Sequence, residues 1–243
     1  MGKRTRVFVT GATGFIGHYV VLNLLSRDCD VVALFRQSTP PIKKSRIEKY
    51  HQTSGSLGKL TWVEGDITRP MLGLDDSGQK LAQEVDHVFH LAALYDLEAS
   101  NDSLEAINHQ GTLNLCEWLK QQPFNGTLHH MSSIAVAGDY KGTFTEAMFN
   151  EGQEFPHPYH HTKYKSEKTV RESGIQHVIY RPGSVVGHSQ RGTIDRIDGI
   201  YHAFPIINQL AKAANSGSLP VNHEVIEELN DACRAIRFVR ETL

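Results

Sequence analysis

The chain is poor in the features that would mark it as secreted, metal-bound or membrane-embedded. It has three cysteines, Cys29, Cys116 and Cys233, far apart and without a CxxC spacing. That excludes a disulfide framework and gives no basis for a structural zinc site, so metal binding is not expected. Its fourteen histidines include the adjacent pairs His129-His130 and His160-His161. Neighbours on a strand or helix point in different directions, so neither pair is a ready chelate. No apolar run approaches the ~18 residues of a membrane span. A basic start, Met1 to Arg6, precedes an apolar stretch, but Gly11, Gly14 and Gly17 interrupt it, which argues against a signal peptide. A cytoplasmic protein is the expectation. The net charge of -2 provides no basic surface for nucleic acid, which is not expected as a partner. Repeats and low-complexity segments are absent. The partner expected is a small-molecule substrate, and a homodimer is compatible with the sequence without being required by it.

What is present is an alternation. Arg6–Thr10 (RVFVT), Val31–Phe35, Leu60–Val63, Asp86–Leu91, Thr127–Met131 and Gln176–Arg181 read as strands. Phe15–Ser26, Ser103–Gln122 and Tyr159–Ser173 read as helices, the last stopped by Gly174. Ser38–Lys44 and Asn150–Pro158 read as loops. Strands alternating with helices imply right-handed βαβ units. The fold class is therefore α/β: a doubly wound parallel sheet of Rossmann type, helices on both faces. Residues 1–187 form this α/β domain. The alternation stops near Val186, so residues 188–243 are assigned to a small substrate-side lobe. Val225–Val239 in that lobe has an amphipathic helical pattern.

The first strand–helix junction carries Gly11-Ala12-Thr13-Gly14-Phe15-Ile16-Gly17. In this setting the glycines have physical tasks: Gly11 permits the tight turn, Gly14 lets backbone approach a pyrophosphate, and Gly17 lets the helix pack closely. The helix N-terminus offers N–H groups and partial positive charge to phosphates. An NAD site usually places an acid at the end of strand two, on the ribose hydroxyls. Here that place holds Phe35 followed by Arg36, a partner for a 2′-phosphate, with Lys43 and Lys44 nearby. NADP(H) is thus expected over NAD(H).

Tyr159 and Lys163 lie four apart, on one face of a helix after strand five. A phenol is a poor acid near neutral pH, but a neighbouring ammonium can tune it for proton transfer. Taken with the glycine turn, this pair makes the chain resemble the extended short-chain dehydrogenase/reductases over residues 6 to about 187. The resemblance implies further roles. Asp66 and Ile67 would contact adenine, with Asp66 on its amino group. Leu91, Ala92 and Ala93, after His90, would line the cofactor. Asn108 and Ser133 would complete a catalytic tetrad with Tyr159 and Lys163, Asn108 keeping a water path behind Lys163. Arg181, Pro182 and Gly183 would lie beside the nicotinamide. The segments HLAALYDLEA, SSIAVAGDY and GTIDRIDGIY are most similar to thioester and fatty acyl reductases. That family normally carries a substantial substrate lobe, for which the stretch after Gly187 is short, so a truncated lobe is one expectation. Three functions follow in order: an NADPH-dependent reductase of an aldehyde, ketone or acyl thioester; a nucleotide-sugar epimerase or dehydratase retaining NAD; and a non-catalytic NADP-binding protein.

Overall fold

The computed structural model describes residues 3–83, 85–96, 98–185, 187, 200–218 and 227. Six strands form one sheet: β1 (Arg6–Thr10), β2 (Asp30–Phe35), β3 (Leu60–Glu64), β4 (His87–His90), β5 (Thr127–Met131) and β6 (His177–Tyr180). Their order is β3-β2-β1-β4-β5-β6, and every neighbouring pair is parallel. The order reverses between β1 and β4. Two connections leave that point in opposite directions and open a crevice at the carboxyl ends of the strands, where doubly wound sheets bind ligands.

Burial on both faces explains the apolar strands. On β1, Val7 and Val9 join Val21, Leu25, Val31, Ala33 and Ile47 in one cluster. Phe8 faces the other way, into a cluster with Val32, Leu34, Val88, Leu115, Trp118 and Leu128. The helices supplying these layers are α1 (Phe15–Ser26) and α2 (Pro41–Thr53) on the first face. On the second are α5 (Gly111–Lys120) and α6 (Pro158–Glu172). Short helices α3 (Asp76–Ala82) and α4 (Asn101–Leu104) complete this part.

Two local readings differ from the sequence expectation, and one strand departs from the apolar pattern. The expected loop over Ser38–Lys44 is half helix, because α2 starts at Pro41. Proline is tolerated in a first turn, where its missing N–H has no partner to lose. The expected single helix over Ser103–Gln122 is interrupted by a π-helical turn, Glu105–Gln110. A π turn inserts one residue into the helical ladder and re-aims the side chains beside it, here including Asn108. Strand β5 is not apolar throughout. His129 faces Phe89 and Tyr180, whereas His130 is fully buried toward α6.

The chain divides into two compact units, Met1–Gly183 and Ser184–Leu243. In the second, α7 (Ile200–Asn215) carries Pro205 inside it, buries Ala211 and Ala214, and exposes Ile206 and Leu210. No helix was expected there. The amphipathic stretch Val225–Val239 lies outside the described residues apart from Glu227. Among the described residues no helix is long and apolar enough to cross a membrane.

Candidate active site

The glycine turn shows why its residues are glycine. Gly11 has φ of +70°, and a Cβ there would lie 2.5 Å from the Ala92 nitrogen. The turn is thus pressed onto the segment after β4, which a side chain would push away. A Cβ on Gly17 would sit 2.0 Å from the Gly11 carbonyl oxygen. That contact is with the turn itself rather than with the sheet. Gly14 caps α1, and a Cβ there would meet only the Gly11 carbonyl, at 3.2 Å. No side chain caps this helix and its first turn holds no acid, so its leading N–H groups, from Phe15 on, take no side-chain cap. An uncapped helix N-terminus of this kind is a place where phosphate groups can bind.

Flanking segments carry the other candidate residues. The Ala92 N–H lies 3.4 Å from the Thr10 hydroxyl, and the Leu91 N–H donates to the Thr10 carbonyl at 3.2 Å. Ala93 follows, exposed. Asp66 Oδ1 accepts from the Thr68 N–H and hydroxyl at 2.9 and 2.8 Å, and the Ile67 carbonyl is held by Asn114 at 2.7 Å. At the end of β2, Arg36 is exposed. The Lys44 ammonium stands 3.6 Å from the centre of the Phe35 ring and 5.3 Å from Trp62, a cation–π pairing that places a second positive group by this corner. The carboxylate in register with Phe35 is Glu64, on β3.

The second half of the site stands on α6 and the end of β5. Tyr159, Lys163, Glu167 and Arg171 recur every four residues and share a stripe of the helix. Lys163 is 2% exposed, and its ammonium donates to the Met131 carbonyl at 2.7 Å. Burial brings its pKa down to about 8, with Glu167 opposing that fall. Burial raises the Tyr159 phenol above its ordinary value; the Ser133 hydroxyl, within hydrogen-bonding reach, pulls the other way, and Tyr95 adds to the rise. Tyr159 is therefore protonated at neutral pH and has a proton to give. Tyr95 meets Tyr159 edge to face at 5.1 Å. Tyr95 and Ile134, the residue after Ser133, are 46% and 59% exposed, so the rim beside the phenol is apolar.

Two residues grouped with the site are committed elsewhere. Asn108 accepts from the Leu94 N–H at 2.7 Å and donates to the Leu94 carbonyl at 3.1 Å and to Thr162 at 3.2 Å. Both amide hydrogens are engaged, so its side chain fastens the segment after β4 to α6 instead of reaching Lys163. The Arg181 guanidinium donates to Glu167 at 3.1 and 2.6 Å, to Met148 at 2.8 Å and to Thr145 at 3.3 Å. What Arg181 offers a cofactor is backbone. Pro182 accepts from the Ile134 N–H at 3.1 Å, and exposed Gly183 lies against the Ile134 side chain.

The sequence reading passed over Glu167. It is fully buried, accepts from Ser132 at 2.6 Å, and pairs with Arg171 at 2.8 Å and Arg181 at 2.6 Å. Burial alone would raise its carboxyl; hydrogen bonds from Arg181, Ser132 and Arg171 outweigh that and lower it. The carboxylate ties the ends of β5 and β6 to α6 and so sets where Ser133 stands. Its spacing of four from Lys163 was the available signal. Glu167→Gln keeps the shape and removes the charge. It is expected to cost about 1.5–3 kcal/mol of stability, the worth of charged hydrogen bonds, in urea melts near neutral pH. A change under about 0.5 kcal/mol, the level of ordinary surface substitutions, would show that the network is not stabilising.

The pattern of residues 9–222 matches the model of one family, described as male sterility protein. The chain belongs to that family. It lies within the extended short-chain dehydrogenase/reductases, whose members bind NAD(P). Among curated relatives of this chain, aldehyde reductase lnaA of Aspergillus flavus is 29% identical, over 79% of this chain and 20% of its own length. Among solved structures, the terminal R domain from the myxalamid PKS-NRPS biosynthetic pathway is 29% identical with a TM-score of 0.73, over 87% of this chain and 57% of that one. The UDP-glucuronic acid 4-epimerase of Bacillus cereus, in complex with NAD, is 25% identical with a TM-score of 0.62, over 86% and 63%. The chain thus spans about a fifth of that curated relative and under two thirds of either solved chain.

Proposed function

We propose that this chain is an NADPH-dependent reductase of a carbonyl substrate, with Tyr159 as proton donor. The observation that carries the reading is the placing of a buried Tyr159–Lys163 pair with Ser133 beside the crevice where the sheet order reverses. Gly11, Thr13, Gly14, Phe15, Ile16 and Gly17 would hold the pyrophosphate, Asp66 and Ile67 the adenine end, and Leu91, Ala92, Ala93, Pro182 and Gly183 the nicotinamide end. A bound NADPH would supply the hydride for the carbonyl carbon. As negative charge gathers on the substrate oxygen, Ser133 holds it by a hydrogen bond and Tyr159 gives it a proton. Lys163 stabilises the phenolate that remains. Asn108 serves this set by fixing α6 against the segment after β4.

The substrate class we infer is a small or chain-like aldehyde, ketone or acyl thioester. The apolar rim at Tyr95 and Ile134 suits an uncharged chain, and the relative from Aspergillus flavus is named an aldehyde reductase. Cytoplasmic residence agrees with the free thiols of Cys29 and Cys116.

Arg36 and Lys44 support NADPH over NADH. An ion pair with the 2′-phosphate is worth on the order of 1–3 kcal/mol, or roughly tenfold or more in affinity. Titrating both dinucleotides against the native protein and Arg36→Ala is expected to show that preference and its loss. Equal affinities in the native protein would sink it. The second reading, an epimerase retaining NAD, is favoured by the likeness to the Bacillus cereus enzyme. Turnover of a nucleotide sugar, with no NADPH oxidation by aldehydes, ketones or acyl thioesters, would select it.

A further inference from the structure

A chain of buried hydrogen bonds runs beneath the proposed site and takes no part in the chemistry above. The Thr10 hydroxyl, on the residue before Gly11, is 2.7 Å from His90 Nδ1. His90 Nε2 is 3.0 Å from the Thr112 hydroxyl. Thr112 is 2.9 Å from the Ser166 hydroxyl, and Ser166 is 3.0 Å from His130 Nε2. Thr112 also donates to the Asn108 carbonyl at 2.7 Å. All five side-chain-linked residues, Thr10, His90, Thr112, Ser166 and His130, are buried. The chain crosses β1, β4, α5, α6 and β5, so it joins the glycine turn to the helix that carries Tyr159 and Lys163.

Its protons can be assigned from one end. A carbonyl oxygen cannot donate, so the Thr112 hydrogen goes to Asn108. Thr112 must then accept from both His90 Nε2–H and the Ser166 hydroxyl. The Ser166 hydrogen is thereby committed, so His130 Nε2 must also carry a hydrogen. Both imidazoles are therefore fixed as Nε2–H donors. His90 Nδ1 accepts from Thr10. His130 Nδ1 is buried without a partner, and a proton there would have no acceptor. The titratable groups acting on these rings are Lys163 from α6, His177 at the start of β6, and, for His130, His90. With both rings neutral, the Lys163 ammonium is the charge that acts on them among the described residues.

We propose that Thr112, with His90 and Ser166, is a positioning junction that couples the nucleotide-binding turn to the catalytic helix. It holds Lys163 where it acts on Tyr159. The proposal rests on the reductase reading for its kinetic consequence and on the hydrogen-bond geometry for its structural one.

The test uses the full chain as Thr112→Val, which keeps the shape, and Thr112→Ser, which keeps the hydroxyl. In Thr112→Val, α6 loosens from the turn and Lys163 acts less on Tyr159. Turnover should fall by about tenfold or more, given the sensitivity of proton transfer to misplacement. The alkaline limb of the turnover–pH profile, where Tyr159 loses its proton, should move up by about half a unit or more. Thr112→Ser should return both to the native values. A merely structural role would lower turnover and melting temperature together without moving the limb, and that outcome overturns the proposal. Nitrogen-15 NMR of the histidine rings supplies an arm independent of any substrate. Both His90 and His130 should be neutral Nε2–H tautomers from about pH 8 down to about pH 5, well below the ordinary histidine range. Either ring as Nδ1–H, or as imidazolium at about pH 6, overturns it. If no carbonyl compound is reduced by the native chain, the reductase reading fails and the tautomers alone decide this one. Should Thr112→Val not fold, Ser166→Ala removes the next link and carries the same kinetic expectation.

Discussion

Tyr159→Phe is expected to cut carbonyl reduction by about 10²–10⁴, the contribution of a positioned general acid, while NADPH affinity stays near native. The substitution keeps the ring, and with it the edge-to-face contact to Tyr95 at 5.1 Å. It removes only the hydroxyl. Ser133 can still hold the substrate oxygen, but no proton stands beside it. Lys163 cannot substitute, because its ammonium is turned to the Met131 carbonyl. Steady-state rates with a fixed aldehyde, set beside fluorescence titration of NADPH, separate chemistry from binding. A native rate in Tyr159→Phe would mean that water or a neighbouring side chain such as His160 delivers the proton.

Acid should unfold this protein early. His90 and His130 are completely buried, and burial together with the nearby Lys163 charge drives the His90 pKa down to about 3 and lowers that of His130 well below its usual value. Both folded values lie below the unfolded one of about 6.5. The stability these neutral rings represent is therefore fully present above about pH 6.5 and is lost as pH falls from there toward the folded values. One pH unit below the unfolded value costs about 1.4 kcal/mol per ring, so two rings at pH 5 remove about 4 kcal/mol. That is a large part of the ~5–15 kcal/mol that holds a typical protein folded. Glu167 adds to the loss only lower, because its carboxyl is held down by Arg181, Ser132 and Arg171. Urea melts at several pH values between about 7.5 and 5 should show a slope approaching two protons. His130→Phe, which removes one of the rings, should halve it. A flat stability curve over that range would contradict the burial of neutral imidazoles.

The sequence carried the dinucleotide half of the site in local form. Strand, glycine turn and helix are consecutive residues, so the spacing of the glycines is visible along the chain itself. The α6 pair was legible for the same reason, since residues four apart on a helix must share a face. Arg36 could be singled out because the end of β2 follows from counting along one βαβ unit.

What escaped it joins residues distant in the chain. The pairing of Arg181 with Glu167, the hold of Asn108 on Leu94, and the route from Thr10 through Thr112 to His130 span separations that periodicity does not encode. The π turn at Glu105–Gln110 is likewise invisible to a 3.6-residue pattern. By itself the sequence determined a doubly wound α/β fold with a parallel sheet and the place of the glycine turn, because those follow from short-range sterics and alternating strands and helices. Only the tertiary structure decided which polar side chains are free to act and which are committed to holding the fold, because hydrogen-bond donors are few and buried ones must be satisfied by whatever partner the packing brings within 3 Å or so.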